Sequence, residues 1–337
     1  MKLSLILPCY NVDKYIDICL KSIYSQDIPE NEYEVICVND CSIDNTVEII
    51  EEYKRKHSNL ILLHHDVNRN LGASRNTGFR IAKGKYVWFI DPDDFIAENC
   101  LNSILFELEN NRLDALEINS NLTNPIRNPH FLETNFNVDS NVMKGTDYLI
   151  YLMNSTSWGR KVEVWRRIFN REFLLTNKLD FSETLFGVED VILFYQTFVV
   201  CRRFKHLAEY CYTYNNDRDE SITNSNNNRG LKLAVRIIVT VRVIEFFRNE
   251  SIMNDPEFNQ KAISTYQWSL RQILKRIYVL DRKNLREYFT KIDPYIAYIR
   301  EQSTWYEANL TTNRILVKSI NAILIPIKKL RNFIKNH

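Results

Sequence analysis

The sequence predicts an α/β fold: a Rossmann-related, mostly parallel sheet flanked by helices, followed by a mostly helical C-terminal region. Three observations predict it. Short apolar runs alternate with segments of helical spacing over the first 120 residues, the pattern of βαβ crossovers. Polar and acidic residues gather just after three successive runs, at the strand ends where such sheets bind ligands. Beyond residue 228 the alternation gives way to apolar and basic residues at helical spacing.

LSLIL (3–7) reads as a first strand ended by Pro8, and not as a signal peptide, whose apolar core is longer. Residues 13–25 place Ile16, Cys19, Leu20, Ile23 and Tyr24 on one helical face, with Asp13 as a candidate cap. EVICV (34–38) is a second strand, 44–56 a helix from Asp44, and LILLH (60–64) a third strand. A short helix over 73–82, a strand at YVWFI (86–90), a helix over 98–109 and a strand near 113–119 complete the pattern. Asn39 and Asp40 follow the second strand, Asp66, Asn68 and Arg69 the third, and Asp91, Asp93 and Asp94 the fourth. Any one of these groups alone is an ordinary turn; three agreeing strand ends point to a site.

Composition narrows the function. The 337 residues are 45% hydrophobic and 26% charged, with a net charge of +2 that gives no overall argument for a nucleic-acid partner. No run of 18 apolar residues occurs, so a spanning helix is not expected. Seven cysteines, an odd number in mostly apolar surroundings, suit buried free thiols of a reducing compartment. Neither G-x-G-x-x-G nor a P-loop follows the first strand, so a bound phosphate must be handled in another way.

The stretch VWFIDPDDF (87–95) offers one. Three carboxylates lie within four positions and repel one another unless a positive charge intervenes. Mg²⁺ or Mn²⁺ takes oxygen ligands from one or two carboxylates and from substrate phosphate. Pro92 fixes its own φ and biases Asp91 toward an extended conformation, so that one carboxylate can face the metal while the other addresses the rest of the ligand. Two readings stand at Asp94: part of that site, or the cap of a helix starting near 95. A metal on a diphosphate stabilises it as a leaving group, which leaves the need for a base. Glu189 and Asp190 open the helical run VEDVILFYQTFVV. There, too, two readings stand, a base held by the exposed N–H groups or acids that merely favour a helix start.

At this point the chain resembles the family 2 glycosyltransferases, whose fold is the GT-A fold of nucleotide-sugar transferases. SLILPCYN (4–11) is similar to the family's opening strand and turn, and VICVNDCSIDNT (35–46) to its V-x-D-x-S-x-D-x-T segment. NRNLGASRNTGFRIAKGKYVWFIDPDD (68–94) resembles N-x-G-x-x-x-A-R-N-x-G running into the D-x-D motif. GVEDVILFYQ (187–196) resembles the E-D motif, and YNNDRDESIT (214–223) the pattern that follows it. The resemblance implies an inverting, metal-dependent transferase of hexosyltransferase type, using Mn²⁺ or Mg²⁺. It implies that Asp40 binds the uracil ring while Pro8, Tyr10 and Asn11 line the nucleotide side. Asp91 would approach the ribose or sugar and share the metal with Asp93, and Arg75 would stand in the pocket wall near the diphosphate or donor sugar. Asp190 would be the general base, with Glu189 positioning the acceptor. Trp158 is either an acceptor-stacking indole or a core or surface tryptophan, and Arg218 either reaches the diphosphate or is solvated. Gly72 and Gly78 flank the Arg75–Asn76 pair; Gly78 serves either the nucleotide or close helix packing. Cys41 and Ser74 depart from the family's glycine and alanine, and Ile43 replaces a threonine.

The expected organisation is a catalytic domain over 1–225 and a helical accessory region over 226–337. The asparagine-rich stretch 215–228 forms a loop between them, and 231–248, 262–280 and 284–299 are helical. Residues 313–337 carry six Lys or Arg and no acid, with an apolar stripe through Ile315, Leu316, Ile320, Ile323, Leu324, Ile327, Leu330 and Ile334. Such a helix lies on an anionic membrane surface, docks on the protein or joins two copies. The expected partners are a UDP-sugar donor and a saccharide or lipid-linked saccharide acceptor. The expected location is cytoplasmic, peripheral on the inner face of the membrane, in cell-surface polysaccharide assembly. Two rivals are weaker. A sugar-phosphate nucleotidyltransferase would carry a glycine-rich loop where LPCYNVDKY stands. A non-catalytic nucleotide-sugar-binding module would have no use for Asp190.

Overall fold

A computed structural model describes residues 1–123, 141–154, 162–183 and 189–216, all within the compact unit Met1–Asn224. The chain runs β1 (Leu3–Cys9), α1 (Ile16–Tyr24), β2 (Tyr33–Asn39), α2 (Thr46–Lys56), β3 (Leu60–His64), α3 (Asn70–Ile81), β4 (Tyr86–Phe89), β5 (Phe95–Ile96), α4 (Leu101–Asn110) and β6 (Ala115–Leu122). It continues through α5 (Gly145–Asn154), β7 (Arg167–Asn170), α6 (Arg171–Thr176), α7 (Glu189–Val200) and β8 (Phe204–Tyr214).

Among the described residues eight strands form one sheet in the order β3-β2-β1-β4-β7-β6-β8-β5. The first four in that order are mutually parallel, so their carboxyl ends share one edge. β7 then runs antiparallel to both β4 and β6, and β5 antiparallel to β8, while β6 and β8 are parallel. The sheet is therefore mixed, with four parallel pairings out of seven.

β1 and β2 are buried along their whole length because helices cover both faces, which explains their mostly apolar runs; the buried Ser4 hydroxyl donates to the buried Glu34 carboxylate at 2.6 Å. α1 sets Ile16, Cys19, Leu20 and Ile23 into one face, in a cluster with Leu3, Leu5, Leu7, Val35 and Cys37. α3 lies on the other. A Cβ on Gly78 would stand 2.5 Å from Ile6 Cγ2, so this glycine serves close helix packing.

Several boundaries move. α1 begins at Ile16 and takes no cap from Asp13, whose backbone N–H donates to Asp44 Oδ2 at 3.0 Å. α2 begins at Thr46, where Asp44 Oδ1 accepts from the Thr46 N–H. α3 opens at Asn70, earlier than its apolar spacing implies, and α4 at Leu101. β1 continues through Pro8. Residue 8 faces the same side as Ile6, which accepts from Ile90 N–H, and β4 has ended by that level, so proline forfeits no ladder bond. The chain after Asp94 enters β5 and no helix starts there.

A charged group in the second half of the sheet had no signal in the pattern. Glu117 of β6 is fully buried, accepts from Tyr148 Oη at 2.6 Å and is ion-paired with Arg167 of β7; His206 Nδ1 of β8 lies 3.3 Å away. Buried charges persist only when paired and hydrogen-bonded in this way. The seven cysteines are free and six are buried. No helix among the described residues is long and apolar enough to cross a membrane. The expectations for 226–337, including the basic segment 313–337, lie outside the described residues.

Candidate active site

The site is assembled at the shared carboxyl edge of β1, β2, β3 and β4. At the end of β1, Pro8 lies within the strand and Tyr10 is half exposed at the edge. Asn11 adopts a positive φ of 50°. Its Oδ1 accepts from the Ile43 N–H at 2.9 Å, and its own N–H donates to Ser42 Oγ. Asn11 thus joins the β1 and β2 turns. Cys41, in the position where the family has glycine, also has a left-handed φ of 64°, and its thiol donates to the His65 carbonyl at 3.0 Å.

Asp40 is buried behind this edge. Its Oδ1 accepts from the Arg69 N–H and its Oδ2 from the Asn70 N–H, each at 2.8 Å, and His65 Nδ1 lies 2.7 Å from Oδ1. Both oxygens are engaged by the chain's own donors. Asp40 therefore closes the N-terminus of α3, satisfying amides that the helix cannot pair internally. Sequence reasoning missed this role and missed His65, whose Nε2 in turn meets Thr77 Oγ1 at 2.9 Å.

Arg75, in the middle of α3 and 1% exposed, gathers the acids from distant parts of the chain. Its Nη2 donates to Asp91 Oδ1 at 2.7 Å and its Nη1 to Asp190 Oδ1 at 2.5 Å, with Glu189 Oε1 at 3.8 Å from Nη1. The Val164 N–H donates to Asp190 Oδ2 at 3.1 Å. Burial pushes the Asp190 carboxyl up to about 7, and the negative Glu189 and Asp91 push the same way against Arg75 and the Val164 N–H. Burial disfavours the Arg75 cation, yet the carboxylates around it more than reverse that and raise its pKa. The arrangement is a carboxyl group poised to exchange a proton near neutral pH, beside a second carboxylate at the sheet edge.

The turn after β4 divides its three acids. Asp94 is buried; its Oδ2 accepts from Tyr212 Oη at 2.7 Å and its Oδ1 from the Asn215 N–H at 2.8 Å. It pins β8 to the turn. Burial, then the neighbouring Asp93 and Asp91, hold its carboxyl well above the usual carboxylate range. Asp91 and Asp93 are half-buried. Their hard oxygen donors fit Mg²⁺ or Mn²⁺. Among the described residues no three His, Cys, Asp or Glu are gathered to hold an ion by themselves, so an ion on Asp91 and Asp93 would need oxygens from a diphosphate as well.

The structure thus brings together Arg75, Asp91, Glu189 and Asp190, with Asp93 in the adjoining turn and Pro8, Tyr10, Asn11 and Asp40 along the same edge. Trp158 and Arg218 lie outside the described residues. Tyr212 was not foreseen; only the strand CYTY, an apolar–aromatic alternation, could have flagged it.

The chain is similar to a crystal structure of residues 1–349 of S. aureus TarS, with a TM-score of 0.63 and 25% identity over 97% of this chain and 88% of that one. TarS has also been solved with UDP and with UDP-GlcNAc. A mannosyltransferase from Pyrobaculum calidifontis, in complex with GDP-Man and Mn²⁺, shares the fold at a TM-score of 0.52 and 17% identity over 98% of this chain and 87% of that one. The fold is that of a GT-A glycosyltransferase domain. Residues 4–151 match the sequence model of glycosyl transferase family 2, the family whose motifs the sequence resembles. Its relatives include the poly(ribitol-phosphate) beta-glucosyltransferase of Bacillus spizizenii, 30% identical over 65% of this chain and 33% of the relative. They also include the poly(ribitol-phosphate) beta-N-acetylglucosaminyltransferase TarS of Staphylococcus aureus, 31% identical over 65% and 36%. The chain spans about a third of the length of these two relatives.

Proposed function

We propose that this protein transfers a sugar from a UDP-sugar to a hydroxyl of a cell-surface glycopolymer or its lipid-linked precursor, with inversion at the anomeric carbon. The observation that carries the reading is Asp190: a carboxyl with a pKa near 7, fixed on the first turn of α7 by Arg75 and the Val164 N–H. A base works best when its pKa lies near the operating pH.

Asp190 accepts the proton of the acceptor hydroxyl as that oxygen attacks the anomeric carbon. The acceptor oxygen attacks from the face opposite the departing diphosphate, so one displacement inverts the centre. Glu189 is directed to the same end of α7, where it orients the acceptor. Asp91 and Asp93 would hold Mg²⁺ or Mn²⁺, which when bound offsets the charge of the departing diphosphate. Tyr10, Pro8 and Asn11 form the nucleotide side, and Asp40 shapes that side through the loop it caps. The poly(ribitol-phosphate) specificity of two relatives and the UDP complexes of TarS support the acceptor and donor classes.

The test incubates the full chain with UDP-glucose or UDP-GlcNAc, poly(ribitol phosphate), and Mn²⁺ or Mg²⁺, reading UDP release and product anomer. Acceptor-dependent release with inverted linkage is expected. Release that persists in EDTA overturns the role of Asp93. An Asp190→Asn variant with full turnover overturns the base.

A further inference from the structure

α3 does more than carry Arg75. Asn76, in its middle, is 3% exposed, and its carboxamide takes the place of a neighbouring strand: Oδ1 accepts from the Phe181 N–H and Nδ2 donates to the Phe181 carbonyl, both at 2.9 Å. One side chain thereby satisfies both backbone groups of a buried residue, which would otherwise be costly to leave unpaired. Asn76 Nδ2 also lies 3.1 Å from Glu183 Oε1.

Glu183 carries the contact along the helix. Its Oε1 accepts from Arg80 Nη2 at 2.8 Å and its Oε2 from Arg69 Nη2 at 2.9 Å, so it is tied to both ends of α3. The Asn76 hydrogen bond, with help from Arg80 and Arg69, holds its carboxyl below the usual range. The backbones approach closely because residue 72 is glycine: a Cβ there would stand 2.6 Å from the Ser182 carbonyl oxygen. Above Phe181 lies the Arg75 guanidinium, 5.1 Å from the ring centroid. Phe181–Glu183 is therefore fastened to the helix that also holds Asp190 through Arg75, seven residues later in the chain.

We propose that Asn76 and Glu183 are positioning residues for glycosyl transfer, fixing Phe181 and its neighbours on α3 against the Arg75 guanidinium that holds Asp190, so that this helix sets the base. The inference rests on Asp190 being that base. It assigns Asn76 and the glycine before it to the base-bearing segment, and not to the nucleotide. A misplacement of about 1 Å at a reacting group costs about a hundredfold in rate, so the dock is a lever on turnover rather than on donor binding.

The experiment uses the full chain with Asn76→Ala and, as a milder change, Glu183→Gln. Hydrogen exchange of the ligand-free protein is read at the amides of Glu189–Leu193 and of β1 and β2. Turnover is read with UDP-GlcNAc or UDP-glucose, poly(ribitol phosphate) and Mn²⁺, and UDP affinity by calorimetry. Expected are exchange at Glu189–Leu193 faster by about tenfold with β1 and β2 unchanged, and kcat lower by about tenfold to a hundredfold with UDP affinity unchanged. Glu183→Gln gives smaller changes in the same direction. Exchange that rises equally in β1, β2 and α7, or a kcat that stays at the wild-type value, overturns the proposal. A wild-type chain that transfers nothing defeats the catalytic reading instead, while the exchange result still decides whether α3 holds the base.

Discussion

Asp190 is a carboxylate whose protonation state at neutral pH is set by its neighbours. Burial, Glu189 and Asp91 raise its pKa to about 7, against the pull of Arg75 and the Val164 N–H. In its proposed role as base Asp190 must be unprotonated, so the acid limb of the kcat profile is expected near pH 7, with activity falling at lower pH. Replacing Arg75 with Gln removes the nearby cation that favours the anion, so the limb moves to higher pH; a limb that moves down or stays contradicts this. Asp190→Asn keeps the shape and loses the proton acceptor, and turnover should drop by about 10²–10⁴-fold with UDP affinity retained in a calorimetric titration.

At the scale of elements, α3 is the organising piece. Its first turn is closed by Asp40, its middle carries Arg75 and Asn76, and Gly72 and Gly78 let it approach Ser182 and the sheet. Two predictions follow from that placement. Asp40→Ala removes a carboxylate that pairs two helix-start amides, so the ligand-free protein should lose about 1–2 kcal/mol in a urea titration. A residue that served only a nucleotide would leave ligand-free stability unchanged. Gly72→Ala returns up to about 1 kcal/mol of helix propensity, yet forces its new Cβ against the Ser182 backbone, a cost of about 1–3 kcal/mol. The balance is a lower melting temperature, checked by calorimetry.

Four parallel strands lie side by side, and the loops at their carboxyl ends hold the acids, a consequence of βαβ crossovers that always return to the same edge. The parallel half could be read from its runs because its largely buried strands are mostly apolar. The antiparallel half could not. β7 is four residues long, and β8 enters the sheet between β6 and β5, far from both in sequence. Glu117 and Arg167 look like surface residues in a linear pattern and are core residues only because they meet each other. At this scale, too, stands the basic segment 313–337, which we propose lies on an anionic membrane surface. Full-length protein should sediment with phosphatidylglycerol-containing vesicles at low salt, and protein lacking 313–337 should not; equal sedimentation of the two overturns the idea.

The sequence by itself determined the α/β class, the strand ends that bear the acids and the family's motifs, because burial periodicity and turn chemistry are local properties written in neighbouring residues. Only the tertiary structure decided what the acids do to one another. Asp40, Asp91, Asp94 and Asp190 share a residue type, yet one caps a helix, one pairs with Arg75 at the sheet edge, one pins a strand and one has its pKa raised to near neutral. Hydrogen bonding, burial and the field of Arg75 depend on which distant segments come within a few ångströms of each other, and that is a property of the folded chain alone.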